Sequence, residues 1–406
     1  MVTHRWNLKG KLLKTLYLQA VERMVLYGCP IWYTGTERQK QKLSQIQRIA
    51  LLCITKAFST APTSALQILA GILPLDLKAK MEAGIYRLHH YKENLQIGDV
   101  IIWAQEVEER IPTIGEHPAL TQKVRWYKDP PEDNEIEAFT DGSKKDNRVG
   151  AAFVIYNNSQ EITSKQIRLN DEATVFQAEV VALKEVCKWL SHNADNNTPI
   201  KIFTDSQSSL QSLNKIKITS SSIKAFKEII CTLQETHNTV LNWVKAHEGT
   251  KGNERADEEA KRATERDTID MAVPLSELAV KHKIKQELIK QWQERWDSET
   301  TGRWTHGLFP TVSPKRIRTN FYEVQALTNH GKFPSYINRF FKKQVKCACG
   351  TSAIHANASH YITSCPMLER QRKEIFLSSF SSLDLEHLVK YPAGLKGIRK
   401  TITYKL

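Results

Sequence analysis

From residue 135 to 266 the hydrophobic pattern gives three strands in succession and then alternates helix with strand, an order that few folds satisfy. In the first strand Ile136, Ala138 and Thr140 alternate with Glu135, Glu137 and Phe139. The second covers 149–156 and is closed by the turn-forming triplet Asn157-Asn158-Ser159. A third covers 162–169. A long helix is predicted over 174–191, a fourth strand over 200–204, and helices after Asp205 and over 223–235. A fifth strand over 239–244 leads through a glycine-rich stretch to a last helix from about Asn253. Strands that follow one another directly pair antiparallel, whereas a helix between strands makes a parallel crossover. The predicted class is therefore α/β, a mixed five-stranded sheet with flanking helices. Its first and fourth strands are expected side by side at the centre.

The flanks read differently. Residues 8–56 are helical text, with Leu12, Leu13, Leu16, Tyr17, Val21 and Met24 at helical spacing and a second run through Leu43, Ile46 and Ile49. Pro62-Thr63 opens a third helix, punctuated by Gly71 and Pro74. Helical text continues from 76 to about 108, so 1–126 is expected to form an all-α domain. Asp129-Pro130-Pro131-Glu132-Asp133-Asn134 reads as a linker within 127–134. The central domain is expected over 135–266, with a second boundary near 267–275 marked by Asp267 and Pro274. A mainly helical, basic region is expected over 275–345, opening with Ile284, Leu288, Trp292 and Trp296 on one helix and irregular over 299–345. Residues 346–406 form a cysteine- and histidine-bearing tail.

Charge is unevenly distributed. The net formal charge is +14. Residues 1–60 hold ten basic residues against two acids, and 311–346 hold eight against Glu323 alone. The central 134–265 carries seventeen basic and nineteen acidic residues. Basic flanks around a slightly acidic middle suit a polyanionic partner and a centre that holds cations. The seven cysteines, Cys29, Cys53, Cys187, Cys231, Cys347, Cys349 and Cys365, are odd in number and follow no secretory apolar stretch. That points to a reducing, intracellular compartment, cytoplasm or nucleus. No run of about 18 uncharged apolar residues is present, so no membrane partner is expected. Nothing in the sequence fixes the oligomeric state.

Four acids of the central segment stand out. Asp141 precedes Gly142 and suits a turn, Asp205 with Ser206 suits a helix cap, and Asp257 suits the first turns of a helix. Glu179 resists such an explanation. It shares a helix face with Val175, Ala182, Leu183 and Val186, and a lone buried carboxylate costs several kcal/mol unless paired or metal-bound. The expected sheet order puts Asp141 beside Asp205, with Glu179 and Asp257 brought in by the first and last helices. Four such oxygen donors suit two magnesium (or manganese) ions and phosphodiester hydrolysis. His247, beside Gly249 and Gly252, is placed to move a proton at the leaving group or is an ordinary loop histidine.

A second constellation lies near the C-terminus. Cys347, Cys349, His360 and Cys365 supply three thiolates and an imidazole, the donor set of structural zinc. A single residue between Cys347 and Cys349 is tighter than the usual spacing, and His355 competes as a ligand. Arg339, Phe340, Phe341, Lys342, Lys343 and Lys346 precede the cluster, and this mixture suits single-stranded RNA or DNA as well as it suits a solvated helix face.

Phe139-Thr140-Asp141-Gly142-Ser143, Gln177-Ala178-Glu179, Phe203-Thr204-Asp205-Ser206 and the block from His247 through Gly252-Asn253-Glu254 to Ala256-Asp257 resemble type 1 ribonuclease H over roughly 134–266. The resemblance implies a ribonuclease H-like sheet, with Asp141, Glu179, Asp205 and Asp257 as ligands of two magnesium or manganese ions and His247 as a mobile catalytic histidine. It implies cleavage of the RNA strand of RNA–DNA hybrids, with Gly142, Ser143, Gln177, Ser206 and Gln207 where such enzymes touch the hybrid. The flanks are similar to the end of an insect-type non-LTR retrotransposon reverse transcriptase. Tyr17-Leu18-Gln19-Ala20 through Gly28-Cys29 and Ala65-Leu66-Gln67-Ile68 match its thumb-like part. Thr301-Gly302-Arg303-Trp304 and Leu327-Thr328-Asn329-His330-Gly331 match its C-terminal region, where related polyproteins carry a Cys/His cluster. No paired-aspartate polymerase signature is present. Two functions follow: a metal-dependent hybrid ribonuclease within a retroelement protein, or a silent remnant that binds nucleic acid without cutting it.

Overall fold

The computed structural model describes residues 8–111, 122–128, 136–196, 198–246, 248–376, 380 and 383–405. They fall into two compact units. One comprises Leu88–Gln96 and Ile101–Lys283; the other comprises Met1–Arg87, Ile97–Val100 and Ile284–Leu406. The linker over 129–134 and His247 lie outside the described residues.

In the first unit the elements are β1 (Trp126–Tyr127), β2 (Ile136–Lys145), β3 (Arg148–Asn157), β4 (Gln160–Leu169), α1 (Val175–Asn193), β5 (Pro199–Thr204), α2 (Gln207–Leu213), α3 (Ser221–Thr236), β6 (Asn238–Trp243) and α4 (Lys251–Glu265). The sheet order is β1-β6-β5-β2-β3-β4. β2, β3 and β4 are antiparallel neighbours, and β5 and β6 add to β2 in parallel. Asp146 and Asn147 take the left-handed backbone that a two-residue hairpin requires, as do Asn158 and Ser159 at the next turn. Ile136, Ala138, Phe153, Ile200, Ile202 and Leu241 face Leu183, Val186 and Leu190 of α1 and Phe226 and Ile230 of α3. The opposite face sets Phe139, Val154 and Phe203 against Ala256 of α4. Gly150 permits that packing, because a Cβ there would lie 2.4 Å from the Ala260 carbonyl oxygen.

The five predicted strands form, with the first and fourth adjacent. The sheet is six-stranded, however. Trp126 and Tyr127 pair with Leu241 and Asn242, and Val124 exchanges two hydrogen bonds with the Asn214 amide, so residues 122–127 belong with the sheet and not with a helical domain. A boundary at 267–275 is likewise corrected. Met271 bridges to Leu169, the Val273 amide donates to Asn170 Oδ1, and Pro274 accepts from Gln177, so this stretch is fastened to the main sheet. Val175 is 43% exposed, because the first turn of α1 overhangs the core that Ala182, Leu183 and Val186 enter.

The second unit is mainly helical. Its N-terminal part runs Gly10–Leu16, a wider turn Tyr17–Val21, Glu22–Leu26, Cys29–Trp32, Glu37–Thr55, Thr63–Ala70 and Leu75–His90, the last of which passes into the first unit at Leu88. Leu13, Tyr17, Leu51, Ile54, Leu66 and Ile72 make one of its cores. Leu12, Leu16, Val21 and Met24, expected on the buried face, are exposed. Helical text does not run on to 108: Leu95–Ile97 and Val100–Ile102 pair as a small hairpin around Gly98. Nor is 299–345 irregular throughout, since Arg303–Leu308, Phe321–Thr328 and Pro334–Phe341 are helices, the second capped by Asn320 and the third opened by Pro334. N- and C-terminal segments close on one another inside this unit. Lys14 Nζ donates to the carbonyls of Ala70 (2.7 Å) and Pro314 (3.2 Å), and Gly71 abuts the Arg316 carbonyl.

Candidate active site

Three of the four singled-out acids meet at one end of the sheet. Phe139 and Phe203 are opposed in the parallel β2–β5 register, and their rings stack at 4.7 Å. Two residues beyond them come Asp141 and Asp205. α1 lies across this edge and delivers Glu179. Its approach depends on Gly142, where a Cβ would sit 2.6 Å from the Glu179 amide nitrogen and 2.9 Å from the Ala178 methyl. The capping box of Thr174 and Gln177 fixes the start of α1 five residues earlier. Each of Asp141, Glu179 and Asp205 offers a carboxylate oxygen within 4.8 Å of the others.

Like charges this close, out of water, resist ionisation. Burial, then the Asp205 and Asp257 carboxylates, push Asp141 up to about 7. Burial, then Asp141 and Asp205, raise Glu179 well above the usual carboxylate range. The Gly142 backbone N–H offsets part of both effects. Glu179 Oε2 is buried without a hydrogen-bond partner among the described residues. A divalent cation supplies what such an oxygen lacks, and an all-carboxylate donor set fits magnesium or manganese better than zinc.

Asp257 is placed differently. It is near enough to raise Asp141, yet its carboxylate is not grouped with the other three and pairs with Lys261 one helical turn on, at 2.6 Å. α4 presents it from a side chain 24% exposed, whereas Glu179 is almost wholly enclosed. The start of α4 is seated by Gly252, whose missing Cβ leaves room for the Phe139 ring.

Comparison with known proteins places this geometry in context. The family model described as RNase H matches residues 133–265. A ribonuclease H of Francisella philomiragia is 30% identical over 146 residues, covering 32% of this chain and 91% of that protein. The chain belongs to the ribonuclease H family. Its ribonuclease H domain is also homologous to retrotransposon polyproteins. The Pol polyprotein of type-1 retrotransposable element R1 from Popillia japonica is 26% identical over 205 residues, covering 50% of this chain and 81% of that protein. A Pol polyprotein of element R1 4 from Nasonia vitripennis is 29% identical over 98 residues, covering 24% of this chain and 25% of that one. The chain therefore spans about a quarter of the Nasonia polyprotein.

Within this ribonuclease H the residues expected to touch a hybrid divide. Gln177 is buried, its amide oxygen accepting at the α1 cap and its nitrogen donating to the Pro274 carbonyl at 2.7 Å. Gly142 is buried under Glu179 and serves packing. Ser143 is partly exposed on β2 beyond Gly142. Ser206 stands at the N-cap position of α2 without a capping hydrogen bond, its hydroxyl instead meeting Ser209 Oγ at 2.8 Å, and Gln207 is partly exposed beside it.

The cysteine cluster also assembles, in the other unit. Cys347, Cys349, His360 and Cys365 place one donor atom each within 4.8 Å of one another, and His355 is not among them. Cys347 and Cys365 sulfurs are 3.8 Å apart, and Cys349 Sγ lies 3.4 Å from His360 Nε2. The Thr351 hydroxyl and backbone N–H draw the Cys349 thiol down to about 7, while burial pushes Cys365 up to about 11. The narrow Cys-Ala-Cys spacing is accommodated by the turn at Gly350, which takes a positive φ.

Proposed function

We propose that this chain hydrolyses the RNA strand of RNA–DNA hybrids, internally and with divalent metal, as part of a retroelement-derived protein. The convergence of Asp141, Glu179 and Asp205 within 4.8 Å carries this reading. Asp141, Glu179, Asp205 and Asp257 would hold two magnesium or manganese ions. Such ions, when bound, supply Lewis-acid activation of water and neutralise charge gathering on the phosphate. The chain's own part is to orient and to desolvate. β2 and β5 bring the Asp141 and Asp205 carboxylates together by their register, and α1 holds the buried Glu179 over them. Ser143, Ser206 and Gln207 sit beside these acids as donors for the hybrid backbone. His247, which lies outside the described residues, is assigned the proton transfer at the leaving 3′-oxygen.

Cys347, Cys349, His360 and Cys365 are proposed to hold a structural zinc ion, since four protein donors leave no open position.

One observation favours the silent, binding-only alternative. Lys261 neutralises Asp257 in this structure, and a metal must displace that ammonium before four acids can act together. Labelled RNA–DNA hybrid incubated with magnesium separates the two. Cleavage by the parent chain, lost in Asp141→Asn while hybrid binding persists, supports the proposal. A parent chain that binds hybrid and leaves it intact overturns it.

A further inference from the structure

The last turn of the helix Pro334–Phe341 and the residues that follow it make eight consecutive exposed positions, 339–346. They include Arg339, Phe340, Phe341, Lys342, Lys343 and Lys346, and no acid. Isolated exposed phenylalanines are ordinary. Here exposed rings gather around one buried support. Tyr336, 6% exposed, lies 4.8 Å from the Phe340 ring and 6.0 Å from Phe341. It also meets Phe58 at 5.6 Å, and Phe58 stacks on Phe321 at 5.9 Å. Phe341 is 60% exposed.

The support is tied down by hydrogen bonds. The Tyr336 hydroxyl and His330 Nδ1 both bond Thr60 Oγ1, at 3.1 and 2.9 Å. Arg339 Nη2 donates to His330 Nε2 at 2.9 Å while its guanidinium lies over the Phe340 ring. An arginine can only donate, so His330 is neutral with its proton on Nδ1. Burial and the nearby Arg339 and Arg48 agree, holding its pKa down near 4.

The cations here are uncompensated. Elsewhere in the unit basic side chains find acids: Arg295 with Asp76, Arg399 with Glu323, Lys290 with Asp99. Among the described residues no ion pair engages Arg339, Lys342, Lys343 or Lys346. Nearby in sequence, Arg316 Nη1 and Arg318 Nε are buried without hydrogen-bond partners among those residues. Fixed aromatic faces beside unpaired cations are the two elements by which proteins grip single strands, stacking bases while pairing phosphates.

We infer that the surface formed by Phe321, Phe340, Phe341, Lys342 and Lys343, on the buried support of Tyr336, binds single-stranded DNA. The choice of DNA rests on the proposed hybrid cleavage, which hydrolyses RNA and sets the DNA strand free. Binding itself does not depend on that reading, and it is measured on the Asp141→Asn full chain without added magnesium or manganese. Fluorescence anisotropy with labelled oligodeoxythymidylate, the same-length oligouridylate and a DNA duplex is the assay. Phe341→Ala is expected to weaken single-stranded DNA binding about tenfold and duplex binding little. Lys342→Asn with Lys343→Ala is expected to flatten the salt dependence by about 0.7 for each phosphate left unpaired. Both variants change exposed side chains, so circular dichroism should match the parent, and in the wild-type background hybrid cleavage should persist. The inference is overturned if the parent chain does not bind the single strand or if both variants bind it as the parent does. It is equally overturned if duplex binding falls in step, or if oligouridylate is preferred tenfold or more.

Discussion

The two donor clusters of this chain solve opposite electrostatic problems. At Asp141, Glu179 and Asp205 the sheet forces like charges together in a buried place, so the protein alone is strained there. At Cys347, Cys349, His360 and Cys365 the donors are thiols and an imidazole that can stay neutral until a metal takes their protons. A carboxylate site held by a large sheet survives without its ions, because its scaffold is packed independently of them. A cluster strung along 347–365 has less beneath it, and its metal is expected to be part of its fold. The contrast underlies the proposed catalytic role of one site and the proposed structural role of the other.

The sharpest way to break this contrast is to strip metal. Removing zinc with a strong chelator, or changing Cys365→Ser, should release the 346–376 segment, seen as loss of hydrogen-exchange protection confined to the C-terminal region. Zinc sites of this kind contribute on the order of 10 kcal/mol to folding. Unchanged protection and no bound zinc by elemental analysis would remove the structural assignment. Next in size is Asp141→Asn, expected to lower hybrid cleavage by about a thousandfold, equivalent to about 4 kcal/mol of barrier, with Glu179→Gln behaving alike. Single-turnover rates on a labelled hybrid check it.

The pH response follows in magnitude. The Asp141 carboxyl titrates at about 7 when folded and at about 3.9 when unfolded. Its folded value is raised, so the folded chain holds a proton that the unfolded chain has lost between these values. Without metal, the stability linked to this group is fully present below about pH 4 and lost as pH rises through 7. The loss is roughly 4 kcal/mol, with Glu179 acting in the same direction. Denaturant midpoints of the metal-free ribonuclease H across that window should fall for the parent and flatten for Asp141→Asn; equal slopes would contradict the clustering. Gly142→Ala should destabilise the same unit by about 1–3 kcal/mol, because its Cβ meets the backbone of α1. A smaller cost would mean that Glu179 sits farther out. Smallest is Lys261→Ala. An exposed ion pair one helical turn apart contributes less than about 0.5 kcal/mol to stability, so melting should barely change. Its sharper readout is the metal concentration for half-maximal cleavage, expected to fall as Asp257 is freed.

Legibility differed along the chain for physical reasons. Period-two alternation and turn triplets made all five main strands readable, and Glu179 announced itself as a charge on an apolar face. Trp126 and Tyr127 were missed because a two-residue edge strand has no periodicity of its own. Gln177 caps α1, a role the sequence does not announce, because a capping amide and a binding amide are the same chemical group. Leu12, Val21 and Met24 sit at helical spacing yet lie exposed, since period alone does not say how wide the buried stripe is.

Composition and pattern by themselves determined that residues 135–266 form a mixed sheet with crossovers, which acids line its edge, and which sulfur and nitrogen donors could cluster near the C-terminus. Those are consequences of local spacing. Tertiary structure alone decided that Asp257 stands apart from the other three acids, that Gly142 is a packing residue, and that Phe58 and Phe321, distant in the chain, share one platform with Phe340 and Phe341. Such outcomes depend on which surfaces close on one another, and that is set by the whole core.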